Sequence, residues 1–278
     1  MIDVEVTDRD LTVDGRWTYA WSASRRPFIH PLRTPSGLVL SREAPDDHPW
    51  HHGLWFTIKF VNGENFWEEY DEYGVLRHDD PPEVDRLVGA TIGDAVVVDG
   101  TLRWLRPDRS TVVIDENRCF TYRRMGDDAY AIDVAVALTP RVDVVLDRTP
   151  FTTWGGYGGL TLRGNDAWTD TRLLLADGTV HQQIHGTRSR WCDLSSAEGG
   201  VTIVDHPDNP RFPTPWYGST KADTYGDGWA NFFNAAFLWD EPLSVEAGDV
   251  LELRHRVIVH NGEWDADRIE SAAAELSS

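Results

Sequence analysis

The sequence predicts an all-β protein, a two-sheet antiparallel β-sandwich with a short C-terminal helix. Three observations lead there. Apolar residues recur at every second position along much of the chain, as in strands with one face in a core. Asp-Gly and Asn-Gly pairs, the turn signals of hairpins, punctuate these runs. Only the C-terminal segment reads as helix. Many short strands with almost no helix indicate a sandwich or a barrel. With no linker, repeat or low-complexity tract, one domain over residues 1–278 is expected.

In chain order, β-like runs cover Val4–Val6, 17–21, 53–61, 96–98, 111–114, 129–138, 201–204 and 251–259. Asp14-Gly15 lies between the first two. In 53–61, Phe56, Ile58 and Phe60 alternate with Thr57 and Lys59, and Asn62-Gly63 follows. Asp99-Gly100 predicts a turn after 96–98. In 129–138, Tyr130, Ile132, Val134, Val136 and Leu138 share one face, and Ala129, Ala131, Asp133, Ala135 and Ala137 the other. Asp177-Gly178 marks a further turn. Leu251, Leu253, Val257 and Val259 alternate with Glu252, Arg254 and Arg256, and Asn261-Gly262 ends that run. Asp265 is then the expected N-cap of a helix, with Trp264 and Ile269 as a hydrophobic staple and good helix formers over 272–276.

Composition narrows the function classes. The net charge of −20 argues against nucleic acid or an anionic membrane as partner. Cys119 and Cys192 match no zinc or redox spacing and are expected to be buried thiols. No apolar signal core follows the first residues, and no run is long enough to span a membrane, so a cytoplasmic location is expected.

The chemistry concentrates in Asp46-Asp47-His48-Pro49-Trp50-His51-His52-Gly53-Leu54-Trp55, where three of the ten histidines lie within five residues. If extended backbone reaches back to His51, then His51 shares a side with Trp55, and His52 with Leu54 and Phe56. Convergence of all three needs an irregular backbone. Three roles compete. One or two histidines act as general acid or base, oriented by Asp46 or Asp47. Two or three bind a divalent metal with His30 or His206, although HExxH spacing is absent. Or the rings only hydrogen-bond loops or a ligand.

Other segments offer binding groups. Segment 205–216 holds four prolines with His206, Asn209 and Trp216, which suits a rigid ligand-binding loop. Trp154 opens a glycine-rich stretch that lacks a P-loop lysine, and Arg163 follows it on a strand. Glu68 or Glu69 can supply a carboxylate. Most of the 13 tryptophans belong to packing, but Trp50, Trp154 and Trp216 stand beside polar residues, as rings that stack on sugars do.

Several of these motifs carry a resemblance when taken in order: Phe28-Ile29-His30-Pro31-Leu32, Thr34-Pro35-Ser36-Gly37, Asp47 through Trp55, Val61-Asn62-Gly63-Glu64-Asn65-Phe66-Trp67, Asp205-His206-Pro207-Asp208-Asn209-Pro210 with Pro215-Trp216, and Arg256-Val257-Ile258-Val259-His260-Asn261-Gly262. Over nearly its whole length the chain resembles a bacterial domain family of unknown function often labelled "methane oxygenase PmoA". That family commonly has a histidine where this chain has Trp50, which weakens a metal site there. The oxygenase label conflicts with the lack of any membrane-spanning run. The resemblance implies a β-sandwich, and the frequent neighbourhood of sugar-oxidoreductase genes implies carbohydrate catabolism. The pattern is also similar to the mutarotase-like supersandwich.

The expected function is therefore proton transfer on a sugar or oxidised sugar: epimerisation, elimination, hydration or glycoside cleavage. His48, His51 and His52 are the candidate acids and bases, with Asp47 orienting. His30, Trp50, Glu68, Trp154, Arg163, His206, Asn209 and Trp216 are the candidate substrate contacts. Neither cofactor nor metal is expected, and the partner is a small carbohydrate. The histidine turn and the His206 loop are expected to line one pocket. A non-catalytic carbohydrate-binding or sensing domain and a metal-dependent enzyme are the alternatives.

Overall fold

The computed structural model describes residues 1–90, 93–149, 156–224 and 228–274. Among them, nine strands form one antiparallel sheet in the order Val4–Val6, Asp10–Val13, Trp17–Ala20, Phe28–Leu32, Leu54–Thr57, Gly159–Arg163, Phe232–Ala235, Pro215–Ser219, Gln183–Arg188. Ten form a second: Val180–His181, Arg172–Leu175, Trp191–Ser196, Gly199–Asp205, Leu251–Asn261, Ala129–Pro140, Val112–Arg124, Gly93–Leu105, Val75–His78, with Glu83–Ala90 also on Gly93–Leu105. A small third sheet joins Leu243–Val245, Val144–Asp147, Phe60–Val61 and Glu64–Asn65. The protein is a sandwich-like, almost wholly β structure.

Alternation explains the layers. Tyr130, Ile132, Val134, Val136 and Leu138 all enter the main core, as do Leu253, Val257 and Val259. From the nine-stranded sheet they meet Leu54, Phe56, Leu160, Leu162, Phe233 and Trp216. Each such side chain contributes roughly 1.5–3 kcal/mol on burial. The outer face of the ten-stranded sheet is covered by the Ala266–Ala273 helix, where Trp264 and Ile269 join Trp191 and Ile258. Asp265 caps that helix, its carboxylate accepting from the Arg268 amide at 2.9 Å. No helix among the described residues is long and apolar enough to cross a membrane.

Two sequence expectations change. Segment 53–61 is not one strand: Leu54–Thr57 belongs to the nine-stranded sheet, and Phe60–Val61 to the small one. Alternation persists across the break, so hydrophobicity alone cannot show the change of partner. Asp99-Gly100 is not a turn but lies inside Gly93–Leu105, opposite Cys119 and Arg118. Gly100 is needed for space there. A Cβ would lie 2.7 Å from Cε1 of His78. Asp14-Gly15, by contrast, takes the two positive φ angles of a tight hairpin turn, 56° and 61°.

A polar chain threads the main core. Glu116 accepts from Trp104 Nε1 at 2.7 Å and from Arg118 Nε at 2.5 Å, and Arg118 also reaches the Phe56 carbonyl across the sheets. Beside it, the Tyr19 hydroxyl lies 2.7 Å from His78 Nε2. Burial, with the charge of Arg118, pushes the His78 imidazole down to about 3. The folded value thus lies below the unfolded value of about 6.5. Stability from this group is complete above pH 6.5 and is lost as pH falls toward 3. His78→Gln keeps an acceptor for Tyr19 but cannot titrate. It is expected to reduce the fall in unfolding free energy between pH 7 and pH 5 by at most about 2 kcal/mol. Denaturant titrations at both pH values measure this, and equal falls in both proteins would refute it.

Candidate functional site

The outer face of the nine-stranded sheet carries its own aromatic layer. Pairing aligns Phe28 with Trp55, Trp55 with Thr161, and Arg163 with Phe232, all on the side away from the main core. Phe28, Trp55, Trp67, Tyr217 and Phe232 pack together there, with Trp50, Tyr157 and Trp239 partly buried against them. The histidine turn lies on this floor.

The turn is pinned at its base. The Ala44 amide donates to the His51 carbonyl at 2.8 Å, and the Gly53 amide to the Arg42 carbonyl at 2.7 Å. On the other side, the Arg163 amide donates to the Gly53 carbonyl at 2.8 Å. Within the loop, the amides of His48 and His51 donate to the carbonyls of Pro45 and His48. Gly53 takes φ +54°, and a Cβ there would lie 2.2 Å from the Ile29 carbonyl oxygen. This left-handed residue breaks the strand alternation. His51 stacks on Trp55 at 5.2 Å and on Phe232 at 5.3 Å. His52 stacks on Phe28 at 4.7 Å, on the floor, instead of following Leu54 and Phe56 into the main core.

All three histidines therefore gather on one face. The His48 ring stacks on His51 at 4.6 Å. Its Nδ1 lies 2.7 Å from Asp47 Oδ2, and Arg163 donates to the same oxygen at 3.2 Å. His52 Nε2 lies 3.2 Å from Glu69 Oε2. Buried Arg26 lies 3.7 Å from the other Glu69 oxygen and donates to the carbonyls of Trp50, Phe66 and Trp67. Burial holds the His51 imidazole well below its usual range, reinforced by His48, Arg163 and Arg26. Its Nδ1 is buried and makes no hydrogen bond to the described residues. For Glu69, burial pushes upward, but the His52 hydrogen bond and the Arg26 charge bring the carboxyl below its usual value.

His30 and Trp50 border this group. His30 Nδ1 lies 2.9 Å from the Ser41 hydroxyl, and burial lowers its imidazole against the opposing charge of Glu43. The Trp50 ring meets His48 edge-on at 5.4 Å. Arg163 reaches the site through Asp47.

Four expected contacts lie elsewhere. Trp216 aligns with Ala235 on the inner face, stacks on Phe233 and donates to the Ser189 carbonyl, so it belongs to the main core. Glu68 pairs with Lys59 and not with a histidine. Asn209 ties its own loop to the ten-stranded sheet, donating to Asp205 and to the Arg254 carbonyl. His206 turns back on the Asp208 amide at 3.1 Å. The hydrogen bonds of His206 and Asn209 run within their own loop and to the ten-stranded sheet, not to the histidine turn. Asp205 instead faces His255 at 3.7 Å. Burial pushes its carboxyl up to about 6, against hydrogen bonds from Asn209 and Thr214. Trp154 lies outside the described residues.

Sequence reasoning missed Arg26, Phe28 and Phe232, and passed over Glu69 for its neighbour. Both acids lie beyond the strand Glu64–Asn65, where alternation gives no signal to choose between them. Among the described residues, no group of three His, Cys, Asp or Glu side chains is placed to hold a metal ion.

A family model described as a family of unknown function, DUF6807, matches residues 3–274. The chain belongs to the DUF6807 family. No curated protein matches it. In this DUF6807 chain the site depends on Gly53. Gly53→Ala adds both an unfavourable φ and a backbone clash, and is expected to cost at least about 2 kcal/mol. Gly63→Ala, at φ +80° with open space around it, is the control and should cost less. Urea unfolding of both variants checks the order, and equal losses would show that the Ile29 contact is not decisive.

Proposed function

We propose that this protein is a cytoplasmic, carbohydrate-active enzyme on a mutarotase-like supersandwich, moving a proton on a sugar or oxidised sugar. The reactions in view are epimerisation, elimination, hydration and glycoside cleavage. The observation that carries the reading is the His48–Asp47 pair at the top of a ring stack rising from the aromatic floor through His51. The carboxylate at Nδ1 selects the tautomer whose proton sits there and whose lone pair is on Nε2. In that form His48 is a base, and Asp47 stabilises the imidazolium formed when it takes a proton. Arg163 in turn fixes Asp47. The His48 side chain is 29% exposed, so a substrate can approach it.

The partly exposed rings packed against the floor, Trp50, Tyr157 and Trp239, supply the binding half of the reading. Aromatic faces pack on the C–H faces of a sugar, while groups at the edge take its hydroxyls. His30, His51 and the His52–Glu69 pair are such groups. Neutral His51 offers a hydrogen-bonding ring without adding a charge to this face. A C–H beside a carbonyl in an oxidised sugar is acidic enough for one placed base. The floor taken alone also favours a carbohydrate-binding domain without turnover.

One experiment separates these readings. A panel of sugars and keto-sugars is tested for binding and turnover with wild type, His48→Ala and Asp47→Asn. Catalysis by His48 predicts a fall in kcat on the order of a hundredfold to ten-thousandfold, with Tm nearly unchanged because the ring is partly exposed. His52→Ala should instead lower Tm, since it removes a buried ring and leaves Glu69 without its hydrogen bond. Binding without turnover in every protein supports the binding domain. A His48→Ala protein with near-normal kcat removes His48 from catalysis.

A further inference from the structure

Behind the floor lies a cleft that the histidine site does not use. It encloses about 580 Å³, within the roughly 300–1,000 Å³ of small-molecule sites, and Lys59, Asn65, Glu68, Tyr73 and Tyr157 are among its walls. It adjoins the site through shared rings. Tyr157 packs on Trp67 at 4.9 Å, and Trp67 meets His51 edge-on at 6.2 Å. Tyr157 thus lines the cleft and packs against the histidine site's aromatic layer.

The polar groups of the cleft are fixed in place. Lys59 is 5% exposed, and among the described residues its ammonium donates to the two oxygens of Glu68. Asn65 donates to Glu68 and uses its own oxygen for the amides of Trp67 and Glu68. An ammonium has three donors, and the contacts to Glu68 account for two of them among the described residues. The choice of lysine is informative. Only two of the 26 basic residues are lysines, Lys59 and Lys221; the rest are arginines. A plain structural partner for Glu68 could be another arginine. A compact ammonium leaves room that a guanidinium fork would fill. Charge narrows the ligand. Lys59 offsets Glu68, and Arg106 bonds Glu64 at 2.7 Å, which leaves Glu72, among the described residues, as the lining carboxylate without an ion pair. Such a cleft disfavours anions and suits an uncharged, hydroxyl-bearing group.

We propose that the Lys59–Glu68 cleft is a second sugar subsite, so that the substrate is a glycoside of at least two units: one unit beside His48 and the partly exposed rings, the other in the cleft. This rests on the carbohydrate reading above, and it adds the size of the substrate and the residues that select it. Lys59 and Asn65 would donate to hydroxyls of the distal unit, Glu68 would accept, and Tyr157 would form the wall between the units.

The test uses calorimetric titration of the full chain with glucose, galactose, mannose and xylose, and with cellobiose, lactose, mannobiose and xylobiose. At least one disaccharide should bind tenfold or more tightly than its component monosaccharides. Lys59→Arg, which keeps a cation beside Glu68 but fills the space around it, should abolish that gain. Tyr73→Ala, at the half-exposed rim, should reduce the gain at least threefold and serves if Lys59→Arg does not fold. Monosaccharide binding with no gain for any disaccharide overturns the subsite alone. A gain that survives in a folded Lys59→Arg protein, or in Tyr73→Ala if Lys59→Arg does not fold, does the same. Failure of all eight sugars to bind overturns the carbohydrate reading, and the subsite with it.

Discussion

The central strands of the nine-stranded sheet are buried on both faces, and much of the molecule follows from that. Leu54–Thr57, Gly159–Arg163, Pro215–Ser219 and Phe232–Ala235 are buried at every position. One face closes the main core. The other has to be covered by loops, because a sheet face bearing Phe28, Trp55 and Phe232 is unstable in water. Covering it traps polar groups as well as rings. A buried guanidinium needs a carboxylate and carbonyls around it. Arg163 has Asp47; Arg26 has Glu69 and three carbonyls. The charged frame around the histidines is thus tied to the way the floor is roofed.

The segment after Asn65 distributes two adjacent carboxylates between two environments. Glu68 goes to Lys59 and the cleft, and Glu69 to Arg26 and His52. The bend after Asn65, whose side-chain oxygen accepts from the amides of Trp67 and Glu68, sets this division. Arg26 also feels both acids, although its guanidinium is lowered chiefly by burial. The two polar clusters are therefore electrically coupled as well as adjacent, and a change of charge in one reaches the other through a poorly solvated wall.

Alternation made the layers legible. Residues 130–138 and 251–259 needed only their period to be placed. Even there, the even spacing that put Leu253 and Val257 in the core also put His255 between them, buried, which a reading of apolar residues passed over. What failed were points where one residue overrides a pattern. Gly53 turns His52 onto the floor, and nothing in the residues around it states that φ. Gly100 looks like a turn because glycine serves both turns and crowding, and only the opposing His78 ring decides between them. Trp216 was placed with the site because it follows a polar loop, but one residue of parity separates it from Tyr217, which does face the floor. Clustering in sequence found the histidines. Their partners Arg26, Glu69 and Phe28 come from other strands and loops, and such pairings are not local.

The Asn62-Gly63 hairpin has a chemical side. An asparagine followed by glycine is the pair most open to ring closure, in which the next backbone nitrogen attacks the side-chain amide and ammonia leaves. Here Asn62 holds that amide at both ends: its nitrogen donates to the Asp143 carbonyl at 3.0 Å, and its oxygen accepts from the Val145 amide at 2.8 Å. The strand that supplies these bonds also pairs with Phe60–Val61, the strand that enters the hairpin. With both ends of the amide held, ring closure needs these bonds to open first, so a preparation whose small sheet has come loose would betray itself by a gain of about 1 Da, the difference between an amide and an acid, at this tip.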